Sequence, residues 1–175
     1  MRFLRSEHAN ERGAALAYRG HARSVRDPEE ARGIAKIEAE EWHHRARLLA
    51  LLTELGAGPA WFDPVLGGLG WTLGALCHVT GWLLPMLGAG WIERRNAAGY
   101  FDAAIDARDA GLPEIAAEMI ALGAVEVAHH AWFTARIRAH WLGARLPLRP
   151  IRAIPSVPSV PSVPSVPSVP SVPSA

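Results

Sequence analysis

Cysteine is nearly absent from this chain. Cys77 stands alone among 175 residues, which excludes a disulfide framework and any thiolate metal site. Lysine is as scarce, with Lys36 the only one. Net charge is +1 with neutral histidine, and no basic stripe runs along any segment, so nucleic acid is not expected as a partner. Residues 1–10 hold no apolar run, so no secretory signal is expected. Residues 64–92 hold not one Asp, Glu, Lys or Arg. Half of the chain is hydrophobic, enough for one domain with a core.

Against these absences stand two Glu-x-x-His motifs, Glu41-Trp-His-His44 and Glu126-Val-Ala-His129. Residues i and i+3 share one face of a helix, so each motif can turn a carboxylate and an imidazole toward one metal ion. The apolar pattern predicts helices over roughly 6–25, 28–55, 82–108 and 113–141. In each, steps of three and four trace a buried stripe. On the second it is Ile34, Ile37, Glu41, His44, Leu48, Leu51, Leu55; on the fourth, Met119, Leu122, Glu126, His129, Phe133. Glu11 falls in the stripe of the first helix and Glu93, with Tyr100, in that of the third.

Four carboxylates at one depth of an apolar core would repel each other strongly without cations between them. Glu11, Glu41, His44, Glu93, Glu126 and His129 form the six-ligand set of a carboxylate-bridged di-metal four-helix bundle. Oxygen and imidazole ligands without thiolate suit iron or manganese. The pair Glu40 and His43 also fits the first motif, but lies about 100° off the stripe. His130 reads as structural. His8, one turn before Glu11, is placed to hydrogen-bond a ligand. His21, His78 and His140 have no partner pattern and read as ordinary polar or interface residues.

Asp27-Pro28-Glu29-Glu30 is a helix-start signal, and Gly56-Ala-Gly-Pro59 and Asp109-Ala-Gly-Leu-Pro113 are breaks. The uncharged stretch 64–92 is long enough to cross a bilayer, yet seven glycines and Pro85 interrupt it and it runs into Glu93. The favoured reading is a segment that dips into one leaflet, with Trp61, Trp71, Trp82 and Trp91 at the interface. A hairpin packed on the bundle and a full membrane pass are the alternatives. From Pro155 a Pro-Ser-Val repeat runs to the end, so residues 1–146 read as the bundle and 147–175 as a disordered or polyproline II tail.

The stretch Glu7-His-Ala-Asn-Glu11-Arg-Gly-Ala-Ala-Leu-Ala-Tyr18-Arg-Gly20, followed in order by Glu41-x-x-His44, Glu93 with Tyr100, and Glu126-x-x-His129, resembles the demethoxyubiquinone hydroxylase family over about residues 3–138. The resemblance implies an all-α, ferritin-like four-helix bundle with an apolar membrane-associating segment between helices two and three. It implies two iron ions on the six ligands, with Glu41 and Glu126 as bridges and Tyr100 as a catalytic tyrosine linked to electron delivery. It also implies an O2-dependent monooxygenase of ubiquinone biosynthesis. Its substrate would be a prenylated quinone and its electrons would come from an external reductant such as NADH. The enzyme would sit on membrane lipid at the cytoplasmic face, as a homo-oligomer or in a biosynthetic complex.

The chain departs from the family pattern at three places. Glu7 and Asn10 stand where Asp and glycine are usual, Ala98-Gly99 precede Tyr100 where two histidines are usual, and Ala131-Trp132 follow the second motif in place of Asp and Gly. A di-iron oxidase acting on another lipid and an iron-binding protein without organic substrate are the alternatives.

Overall fold

The computed structural model describes residues 1–148; the Pro-Ser-Val tail lies outside the described residues. These residues are all-helical, with five helices and no strand: α1 Arg2–Ser24, α2 Pro28–Glu54, α3 Asp63–Leu76, α4 Leu83–Asp109 and α5 Pro113–Ala139, then a short 3-10 turn at Gly143–Arg145. Local chemistry sets the boundaries. Asp27 caps α2 by accepting from the backbone N–H of Glu29 at 2.8 Å and Glu30 at 2.9 Å, and Pro28 opens its first turn. Gly56 and Gly111 end α2 and α4 at φ +67° and +74°. There the N–H of Ala57 reaches Leu52 O and that of Leu112 reaches Ala107 O, closing each helix with a left-handed residue.

Short links of three residues make α1–α2 and α4–α5 two antiparallel hairpins, which face each other. Their stripes build two apolar plugs. One gathers Leu4, Leu48, Leu52, Tyr100, Met119 and Leu122; the other gathers Tyr18, Ile34, Ile37, Met86, Phe133 and Ile137. On every one of the four helices the site residues fall between the two plugs. The core therefore seals a polar layer at both ends.

The stretch 64–92 is not one continuous element. It contains α3, a turn, and the start of α4, so the bundle carries a fifth helix. Among the described residues no helix is long and apolar enough to cross a membrane. α3 packs against α1 through glycines. A Cβ on Gly70 would come within 2.0 Å of Gly13 O, and one on Gly20 within 2.4 Å of the Gly74 backbone. Glycine disfavours a helix, but here its lack of a side chain lets two backbones touch. Asp63, at the start of α3, pins it by ion pairs to Arg12 of α1 at 2.6 Å and Arg45 of α2. The outward face stays apolar and open, with Trp61 87% and Trp71 67% exposed beside exposed Val65 and Leu69. The packed-helix alternative thus describes one face of the segment, and the other face remains bare.

Candidate metal centre

Glu11, Glu41, His44, Glu93, Glu126 and His129 are all buried, and the four helices bring them into one layer. Their ligand atoms form two groups, each with every atom within 4.8 Å of the others: Glu11, Glu41, His44 and Glu126, and Glu41, Glu93, Glu126 and His129. Glu41 and Glu126 belong to both. The Nδ1 of His44 lies 2.9 Å from Glu126 Oε1. The Nδ1 of His129 lies 3.2 Å from Glu41 Oε1 and 3.5 Å from Glu93 Oε2.

Eight atoms of these six side chains are buried with no hydrogen-bond partner: both carboxylate oxygens of Glu41 and of Glu126, Oε2 of Glu11 and of Glu93, and Nδ1 of His44 and of His129. Buried polar atoms are ordinarily bonded, and a cluster of exceptions requires an explanation. A cation between them supplies it, so these residues fit a metal pair.

The electrostatics agree. Burial, then the Glu126 and Glu11 charges, raises the Glu41 carboxyl well above its ordinary range. Burial, then Glu93, does the same to Glu126. Burial likewise raises Glu11. Burial works against Glu93 too, but the closeness of Glu126 and His129 and the Tyr18 hydroxyl outweigh it and hold that carboxyl below its ordinary value. Burial lowers His44 to about 4. Burial lowers His129, but the nearby Glu93 carboxylate and the hydrogen bond and charge of Glu40 outweigh it and raise the imidazole. Without a cation the layer can relax only by keeping protons on its acids.

Residues around the layer hold it in place. Tyr100 O–H donates to Glu11 Oε1 and Tyr18 O–H to Glu93 Oε1, each reaching across from the opposite hairpin. Glu40 Oε2 lies 3.0 Å from His129 Nε2. A carboxylate on the far nitrogen keeps its hydrogen there and leaves the Nδ1 lone pair facing the cluster. The stripe reading assigned Glu40 no such place, because the contact joins two helices and spacing along one helix does not encode it. Tyr18 was legible as a stripe residue seven positions after Glu11, just as Tyr100 follows Glu93, but it was not singled out.

Two histidines correct the sequence expectation. His8 bonds no cluster residue. Its Nδ1 lies 3.5 Å from Asp63 and from Arg45, so it belongs to the network that pins α3. His21 is not an ordinary polar residue but a buried one, stacked on Phe133. His43 is exposed, and His130 bonds Gly90 O at 2.7 Å, as a structural histidine does.

A family model described as Ubiquinone biosynthesis protein COQ7 matches residues 1–100. No curated protein and no solved structure matches the chain. The matched stretch carries Glu11, Tyr18, Glu41, His44, Glu93 and Tyr100; α5, with Glu126 and His129, lies beyond it and completes the layer through the fold. With more than half of its length in that match, the chain belongs to the COQ7 family of ubiquinone biosynthesis, the demethoxyubiquinone hydroxylases.

Proposed function

We propose that this protein is an O2-dependent di-iron monooxygenase that hydroxylates the ring of a prenylated demethoxy-quinone. Family membership gives the coarser role, a hydroxylase of ubiquinone biosynthesis. The observation that carries the finer reading is the set of eight unpartnered atoms converging in two groups that share Glu41 and Glu126.

Glu11, Glu41, His44, Glu93, Glu126 and His129 would hold two iron ions, which would supply the dioxygen chemistry that ring hydroxylation needs, with electrons from an external reductant such as NADH. Glu41 and Glu126 belong to both groups and would be shared between the two ions. Glu11 and His44 serve one ion, Glu93 and His129 the other. Tyr100 and Tyr18 hold the terminal carboxylates by their O–H groups, and Glu40 holds His129 in the tautomer that leaves Nδ1 free. The two apolar plugs keep water from both ends of the layer. Protons held by Glu41, Glu126 and Glu11 must leave as metal enters, so loading weakens as pH falls. Tyr100 remains the residue proposed for electron delivery.

The bare face of α3 and of the turn before it, from Trp61 through Trp71, is proposed to rest on membrane lipid, as a monotopic contact at the cytoplasmic face. A quinone dissolved in the leaflet then meets the protein at that face. Sedimentation with lipid vesicles tests it; Trp61→Ser and Trp71→Ser should weaken pelleting while leaving the fold intact.

The test of the reaction is complementation of a strain that accumulates the demethoxy precursor, scored by mass spectrometry of extracted quinones. Wild type should restore ubiquinone and Glu126→Ala should not. Folded, iron-loaded wild type that converts no precursor rejects this substrate. The altered Ala98-Gly99 and Ala131-Trp132 positions then point to another lipid.

A further inference from the structure

A cavity of about 270 Å3 opens between α1, α3 and the start of α4. Its walls are mostly Ala, Leu, Ile, Gly and Pro. Only four lining residues bring a side-chain heteroatom, and three of these are committed. Tyr18 O–H donates to Glu93. Cys77 S–H donates to Leu73 O at 3.2 Å and Thr80 O–H to Leu76 O at 2.9 Å.

His21 is the exception. It is 2% exposed, and its Nε2 has no hydrogen-bond partner. Its ring lies nearly parallel to Phe133, 8° apart with centroids at 6.1 Å, which fixes its plane. Burial lowers the imidazole to about 4, so at neutral pH it is uncharged and Nε2 can donate or accept one hydrogen bond. A buried polar atom left unpaired is costly. His21 itself lines the cavity, and an apolar site orients its ligand through a few such polar groups.

We propose that His21 Nε2 hydrogen-bonds a ring oxygen of the quinone in this cavity and so decides which ring carbon is presented to the metal centre. The inference rests on the quinone reading above. Tyr18, one turn before His21 on α1, joins the cavity to Glu93, so a ring held on His21 lies beside the Glu93 side of the layer. The volume admits one substituted ring and not a long prenyl tail. Leu76, Val79 and Leu84 are exposed near its mouth, which leaves the tail to run out over the bare apolar surface.

The experiment uses the full chain in detergent micelles, titrated calorimetrically. One ligand is a demethoxy-quinone with a two-isoprene tail; the other is the same prenylated ring without its oxygens. Wild type should prefer the quinone by about tenfold, the worth of one hydrogen bond. His21→Leu should lose that preference, bind the oxygen-free ring as before, and melt at a higher temperature because an unpaired buried group is gone. His21→Gln should keep part of the preference. An unchanged preference in His21→Leu overturns the proposal. So does equal weakening of both ligands with a lower melting temperature, which would mark a structural role. Wild type that binds the oxygen-free ring but shows no preference for the quinone overturns His21 alone. Wild type that binds neither overturns the quinone reading and this inference with it.

Discussion

The α1–α2 hairpin and the α4–α5 hairpin repeat the same inner side chains at the same spacing. Glu11 and Tyr18 stand seven residues apart, as do Glu93 and Tyr100; Glu41-x-x-His44 is matched by Glu126-x-x-His129. Each hairpin's tyrosine bonds the other's carboxylate. The surroundings do not repeat. Buried Glu7 lies one turn before Glu11, with its carboxyl pushed up to about 8 by burial and then by Glu11; the residue one turn before Glu93 is Ala89. Glu40 precedes Glu41 and reaches His129, whereas Val125 precedes Glu126. A helical period alone suffices to repeat the inner set. The outer residues depend on what each hairpin meets, and they make the two halves chemically unequal.

The largest effect expected concerns the shared acids. Glu41→Ala and Glu126→Ala should each empty both metal groups, whereas Glu11→Ala and Glu93→Ala should each spare one. Metal content per chain, measured on folded protein, checks this; a shared-acid variant that keeps half its metal breaks the symmetry.

Glu40 sharpens the contrast between the halves. Its removal should weaken metal binding by roughly 10–100-fold, the usual worth of a carboxylate behind a histidine ligand. Val125→Ala should change it little. Competition with a chelator measures both, and if Glu40→Ala cost as much as Glu41→Ala, Glu40 would itself be a ligand.

Tyr18→Phe and Tyr100→Phe each remove an O–H from a buried carboxylate, and each should lower stability by about 1–3 kcal/mol. Equal losses in denaturant unfolding would support the repeat. If only one variant is affected, the two cross-hairpin bonds are not equivalent.

The smallest effect is a pH dependence of the metal-free protein. Above pH 6.5 the unfolded chain has released its carboxyl protons, whereas folded Glu7 keeps its own up to about 8. The folded state binds more protons, so stability falls as pH rises from 6.5 to 8, with Glu7 contributing about 1–2 kcal/mol. His44 and His21, lowered to about 4, act in the opposite direction, but only below 6.5. Glu7→Ala, which copies Ala89, should lessen the slope, and the remainder comes from Glu11, Glu41, Glu126 and His129, all raised in the same sense; chelator-treated protein that is more stable at pH 8 would reverse the sign.

The four bundle helices and the convergence of the six polar residues could be read from the stripes, because apolar steps of three and four locate both the core and whatever polar residue interrupts it. The choice of Glu41 and His44 over Glu40 and His43 matches their burial for the same reason. α3 was harder to read, since four glycines in fourteen residues weaken any helical signal. Reading that stretch first as a leaflet segment, with the packed hairpin only as an alternative, also left His21 without a place. That residue is off the stripe of α1 and stacks on Phe133 of α5, a contact between helices. Contacts between helices, such as Glu40 with His129, have no trace in one-dimensional spacing.

The seam between α1 and α3 limits how the chain can drift. Gly20 and Gly70 stand where any added Cβ would meet backbone, and every single-base change that alters a glycine codon's residue adds one. No neighbouring amino acid is a mild replacement there. Tolerated change in α3 is therefore confined to its outward face, so composition can vary on that bare side while the distance between the two backbones stays as it is.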